Sequence, residues 1–144
     1  MIAVDTNILV YSFVLEAPFH AEALQQLQRL AGGRTPWTIP WPCLHEFLAV
    51  VTSRGMLKAP IGIERASAQV DAWLASPVFR VLGEGTEHWP RLRALIAARG
   101  VRGGQVHDAR IAAICLEHGI DEFWSADRDF SRFPELRTRN PLIA

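Results

Sequence analysis

Lysine is nearly absent from this chain. Lys58 is the only one among 15 basic side chains in 144 residues. Cysteine is almost as scarce: Cys43 and Cys115 each fall in an apolar helical pattern, with no Cys or His partner at zinc-ligand spacing. That excludes a disulfide framework and a zinc cluster, and both residues read as buried small hydrophobes in a reducing compartment. Excess charge is missing as well. With zero formal net charge and a pI near 7, no global field marks out a nucleic-acid binder, so any such binding must come from local arrangement. No apolar run approaches the roughly 18 residues of a membrane span, and no secretory leader is visible. The expected location is cytoplasmic.

What is present is a regular alternation of strands and helices. Met1 to Val4 is a short apolar strand. Ile8 to Leu15 reads as a short buried helix begun by Asp5-Thr6-Asn7, all capping-capable residues. Ala23, Leu24, Leu27 and Leu30 share one face of a helix over His20 to Ala31, stopped by Gly32-Gly33. Trp37 to Ile39 is a strand. Pro42 opens a helix to about Ser53. Ile63, Ala66, Val70, Trp73 and Leu74 stripe the next helix, and Phe79 to Leu82 is a strand. Trp89, Leu92, Leu95 and Ile96 mark a helix ending at Gly100. A joint at Gly103-Gly104 precedes a helix opened by Asp108 and stopped at Gly119. The strand Glu122 to Ser125, a helical turn at Phe130 to Phe133, and an edge strand over Leu136 to Thr138 complete the chain. Such alternation implies one α/β domain over residues 1–144, with a parallel sheet covered by helices on both faces.

Four carboxylates sit at the ends of these elements or on their apolar faces. Asp5 closes the first strand, where open α/β sheets place their ligands, although it could equally cap the helix that follows. Glu46 interrupts the apolar run Cys43 to Val51. A helix apolar on most sides is largely buried, so Glu46 either occupies its one exposed edge or has a cation, and the cation is favoured. Asp108 shares a face with Ile111, Ala112 and Cys115, with a favourable helix-dipole interaction as the plainer explanation. Asp127 follows the Glu122 to Ser125 strand, with Asp129 two residues on and the Ser125 hydroxyl beside them. Two like charges ~4 Å apart repel by roughly 4 kcal/mol at a near-surface dielectric. If these acids meet, they need a proton or a cation between them. All donors are oxygen, which favours Mg²⁺ or Mn²⁺ over zinc and suits the cleavage of phosphodiesters.

Four segments carry a resemblance: Val4-Asp-Thr-Asn-Ile-Leu-Val10, Pro42-Cys-Leu-His-Glu-Phe-Leu48, Val106-His-Asp-Ala-Arg-Ile-Ala112 and Trp124-Ser-Ala-Asp-Arg-Asp-Phe130. In this order and spacing the chain resembles the PIN-domain ribonucleases, and within them the VapC toxins of bacterial toxin–antitoxin pairs. The resemblance implies a PIN-like parallel sheet of about five strands, and a metal-dependent endoribonuclease whose acidic quartet maps onto Asp5, Glu46, Asp108 and Asp127. Asp129 occupies the second acid of a D-x-D pattern, and Ser125 stands where family members commonly carry threonine. Thr6, Asn7 and Ser125 are supporting residues. The resemblance also implies a homodimer and inhibition by a small VapB-type antitoxin.

Arg102, Arg110, Arg128 and Arg132 lie beside the acidic motifs and are candidates for RNA phosphate contacts, with a solvated helix surface or a salt bridge to those acids as the plainer explanation. Trp73, Trp89 and Trp124 fit core stripes, while Trp37 and Trp41 remain open. A non-catalytic binding module and a housekeeping RNA-processing nuclease both remain alternatives. Receiver domains and haloacid-dehalogenase-like phosphatases also carry acids at strand ends, but they require a placed lysine, and Lys58 lies in a Gly/Pro-flanked loop.

Overall fold

A computed structural model describes residues 1–54 and 57–143. Ala144, the far end of the expected domain, lies outside the described residues. The element order is β1 (Ile2–Val4), α1 (Thr6–Phe13), α2 (His20–Gly32), β2 (Trp37–Pro40), α3 (Trp41–Val51), α4 (Ile63–Leu74), β3 (Phe79–Leu82), α5 (His88–Arg99), α6 (Gln105–Glu117), β4 (Glu122–Trp124), a 3-10 helix (Arg128–Arg132) and β5 (Thr138–Arg139).

The five strands form one sheet in the order β3-β2-β1-β4-β5, and every pairing is parallel. β1 is central because its side chains are acceptable on both faces. Ala3 and Val4 are fully buried, as expected of a strand covered on both sides. Ala3 is paired with Thr38 of β2 and with Phe123 of β4. From β1 the chain builds outward through β2 to β3, then crosses back to β4 on the other side of β1 and continues to β5. The strand order therefore reverses between β1 and β4, and a crevice opens beyond their carboxyl ends at such a reversal.

The helices pack in two groups, α1 with α2 and α3 and α3 with α4, and separately α5 with α6, the latter also against β2. Phe47 of α3 binds the first group together. It is fully buried and makes edge-to-face contacts with Phe13 of α1, at 5.4 Å between ring centroids, and Trp73 of α4, at 4.9 Å. Pro40 and Pro42 flank the start of α3, where missing N–H groups cost no helical bond. Gly100 ends α5 in the left-handed conformation that glycine adopts without a Cβ penalty.

Expected and observed elements differ mainly at their ends. The first helix begins at Thr6 rather than Ile8, and α6 begins at Gln105, so Asp108 sits within its first turn instead of opening it. The last strand is Thr138–Arg139; Leu136 is buried but precedes it. Trp89 is a correction: it is 61% exposed, at the amino end of α5, because the stripe that α5 buries runs through Leu92 and Leu95. Trp73 and Trp124 are buried as expected. Trp37, left open by its sequence, is fully buried and donates from Nε1 to the Ser76 hydroxyl at 3.2 Å. Both cysteines are free and buried. Among the described residues no helix is long and apolar enough to cross a membrane.

Candidate active site

Asp5 lies at the floor of the crevice, at the end of β1 and 5% exposed. Its backbone N–H continues the β1–β4 ladder by donating to Trp124 O at 2.9 Å. Its side chain caps α1 through the Thr6 N–H at 2.7 Å, so the capping role foreseen in the sequence is real. The same carboxylate also faces the site. Oδ1 accepts from Thr6 N–H and, more weakly, from the Cys43 thiol at 3.6 Å. Oδ2 accepts from the Ser125 hydroxyl at 2.6 Å and from the Asn7 amide at 3.1 Å. Even with these donors, burial pushes the Asp5 carboxyl up to about 6, and the nearby charge of Glu46 adds to the rise.

Cys43 is a residue whose role the sequence hid. It reads as, and is, a fully buried small side chain, but its thiol points at the central carboxylate. The only available signal is its place three residues before Glu46, on one face of the same helix.

Glu46 takes the exposed edge of its helix, so the burial that argued for a cation is absent. It is exposed, because α3 turns Cys43, Leu44, Phe47 and Val51 to the core and leaves Glu46 on the solvent edge. No buried charge therefore demands a cation there. The Thr6 hydroxyl donates to Glu46 Oε2 at 3.0 Å and tethers it beside Asp5. Its charge reaches both Asp5 and Asp108.

The closest acids are Asp108, Asp127 and Asp129, each offering a carboxylate oxygen within 4.8 Å of the others. Asp108 comes from the first turn of α6 and is half-buried; Asp127, on the loop that leaves β4, and Asp129, in the 3-10 helix that follows, are exposed. Asp127 caps the 3-10 helix by accepting the Asp129 N–H at 2.8 Å, which holds the two acids in a tight turn. Burial pushes the Asp108 carboxyl up, as do the charges of Asp127, Asp129 and Glu46, with Arg132 opposing. The five acids are thus one electrostatic unit at the point where the strand order reverses, with three of them close enough to share an ion. The all-oxygen donor set and the mutual repulsion of these acids both fit a hard divalent cation.

Residues 2–136 match the PIN-domain family. The chain belongs to that family. Within the PIN family it groups with the VapC proteins. It is 38% identical over 142 residues to ribonuclease VapC43 of Mycobacterium tuberculosis, covering 99% of this chain and 96% of the relative. It is 34% identical over 138 residues to ribonuclease VapC48 of the same organism, covering 96% and 95%. The fold is similar to that of the VapBC2 complex from Rickettsia felis bound to a promoter DNA fragment, with a TM-score of 0.67 at 21% identity and coverage of 97% and 98%.

The candidate arginines of this PIN domain are not equivalent. Arg110 pairs with Glu84, which lies outside the acidic set, and not with one of the motif acids. Burial opposes the ionisation of Glu84, but the hydrogen bond from Arg110 prevails and holds its carboxyl below the ordinary range. Arg132 is the arginine electrostatically coupled to Asp108. Arg128 is exposed between Asp127 and Asp129, and Arg102 is exposed before α6. Arg128 and Arg132 therefore border the acidic cluster, while Arg110 is engaged elsewhere.

Proposed function

We propose that this protein is a metal-dependent endoribonuclease acting as the toxin of a VapBC-type toxin–antitoxin pair, as a single PIN domain in the cytoplasm. The observation that carries this reading is the convergence of Asp108, Asp127 and Asp129 on a common centre, with Asp5 and Glu46 electrostatically coupled to it. Relatives named VapC ribonuclease, aligned over nearly the whole chain, support the RNA-cleaving activity.

Asp108, Asp127 and Asp129 would hold Mg²⁺ or Mn²⁺, with Asp5 and Glu46 completing the site directly or through water. When bound, such an ion supplies positive charge to a phosphodiester and acidifies a water molecule. The remaining work falls to the chain. Asp5, fixed by donors from α1, α3 and the loop after β4, orients the floor of the site. Thr6 keeps Glu46 from swinging into solvent. Arg128 and Arg132 offer cations to flanking phosphates at the rim, as arginine does well. Because Glu46, Asp127 and Asp129 are exposed, the site is shallow and takes a backbone presented on a single-stranded loop more readily than one in a helix.

Two copies of the chain form a homodimer, and a VapB-type antitoxin inhibits the toxin by covering this groove. The likeness in fold to a VapBC complex supports that partner.

The deciding experiment is incubation of total cellular RNA with antitoxin-free protein in Mg²⁺ or Mn²⁺, with EDTA and Asp5→Asn as controls. Discrete fragments that vanish in both controls are expected, bearing 5′-phosphate and 3′-hydroxyl ends. A 2′,3′-cyclic phosphate end would mean attack by the RNA's own hydroxyl and would overturn the hydrolytic chemistry.

A further inference from the structure

We propose that Asn7 is a positioning residue that clips the loop carrying Asp127 onto Asp5 and so sets the spacing of the metal-binding acids. The proposal rests on the assignment of Asp127 to the metal site. Asn7 lies in the first turn of α1, and its side chain reaches 119 residues along the chain. Its Oδ1 accepts the Ala126 N–H at 3.0 Å. Its Nδ2 donates to Asp5 Oδ2 at 3.1 Å and to Ser125 Oγ at 3.2 Å. Ser125 completes the clip, donating to Asp5 Oδ2 at 2.6 Å and accepting the Asp127 N–H at 3.0 Å.

Every hydrogen-bonding group in this arrangement has a partner of the right kind. The serine hydroxyl has one proton, given to Asp5, and two lone pairs, filled by Asn7 and Asp127. The asparagine amide uses both protons and its oxygen. Turning the amide over would set its oxygen against the Asp5 carboxylate and its NH₂ against the Ala126 N–H, so the assignment is forced. A side chain of asparagine's size with a donor at one end and an acceptor at the other is what the position requires. Asp127 follows directly from the two residues so held, and it in turn caps the turn bearing Asp129. Asn7 thereby acts on two of the three converging acids without being near enough in sequence to do so through the backbone.

The test uses full-length, antitoxin-free protein and Mn²⁺ alone as the probe, with affinity read by calorimetry and local order by amide hydrogen exchange. In Asn7→Ala, Mn²⁺ affinity falls at least tenfold, and exchange at Ala126 and Asp127 accelerates at least tenfold while α2 and α4 keep their protection. Ser125→Ala behaves likewise, Ser125→Thr recovers what it loses, and the double variant Asn7→Ala/Ser125→Ala is no worse than either single one. A merely structural role would lower the melting temperature and leave affinity alone. Affinity within twofold of wild type, whether or not exchange changes, overturns the proposal, as does lost affinity with exchange at Ala126 and Asp127 unchanged. If Asn7→Ala does not fold, Ser125→Ala carries the same expectations. Failure of the wild-type protein to bind Mn²⁺ would instead overturn the metal-site assignment, and with it the proposed consequence, leaving the exchange data to judge the clip itself.

Discussion

At the scale of single residues, Asp5 carries the sharpest tension in the molecule. Its carboxyl is pushed by burial to about 6 from an ordinary value of 3.8. Between those values the folded chain keeps a proton that the unfolded chain has already lost. The contribution of Asp5 to the stability of the metal-free protein therefore declines as pH rises from about 4 to about 6, by about 3 kcal/mol. Asp108, also raised, contributes in the same direction. Asp5→Asn should flatten this decline, and melts in EDTA at a series of pH values would show it; a wild-type slope in the variant would mean another group is responsible. The substitution cannot be stabilising throughout, though. Four donors converge on Asp5, and an amide nitrogen cannot accept from the two it would face, so the relief of charge is offset by lost hydrogen bonds. Cleavage should still be abolished.

Among the secondary-structure elements, α3 matters most, because it presents Glu46 on one side and Phe47 on the other. Phe47→Ala would empty a site walled by Phe13 and Trp73 and so loosen α1 and α4 together. A loss of about 3–5 kcal/mol is expected, read from the urea midpoint. Glu84→Gln, which breaks the exposed pair with Arg110 between the β3–α5 loop and α6, should cost less than about 1 kcal/mol by the same measurement. The contrast separates what holds the elements together from what decorates them. A large loss from Glu84→Gln would show that this loop anchors α6, and with it Asp108, more firmly than an exposed ion pair normally does.

Seen as a whole, the molecule keeps like charges close together at the carboxyl ends of its inner strands, and an ion that separates them favours the folded state. Mn²⁺ at a hundredfold its dissociation constant should add about 2.7 kcal/mol of stability. In thermal melts the midpoint should rise by several degrees, return on adding EDTA, and fail to rise in Asp108→Asn. An equal rise in that variant would place the ion elsewhere.

Much of this was open to reading along the chain. Strand and helix positions follow from apolar periodicity and from glycine and proline punctuation, which act locally, so every expected element is present with its ends displaced by up to three residues. The acids Asp5, Glu46, Asp108, Asp127 and Asp129 stood out because charges amid apolar runs or at strand ends need a reason. Exposure was harder to read. The burial expected of Glu46 and Trp89 failed because apolar neighbours along a helix do not reveal which edge of its stripe meets the rest of the protein. Beyond the cap on α1, the partners of Asp5 could not be read. The Cys43 thiol, the Ser125 hydroxyl and the Asn7 clip join residues 38, 120 and 119 positions apart, and only the packing of β1 beside β4, with α3 laid against them, brings these groups within hydrogen-bonding reach. Sequence alone determined which residue types and elements the protein has. The tertiary structure decided which acids converge, because a hydrogen bond or a cluster of carboxylates depends on separations of a few ångströms that no spacing along the chain specifies.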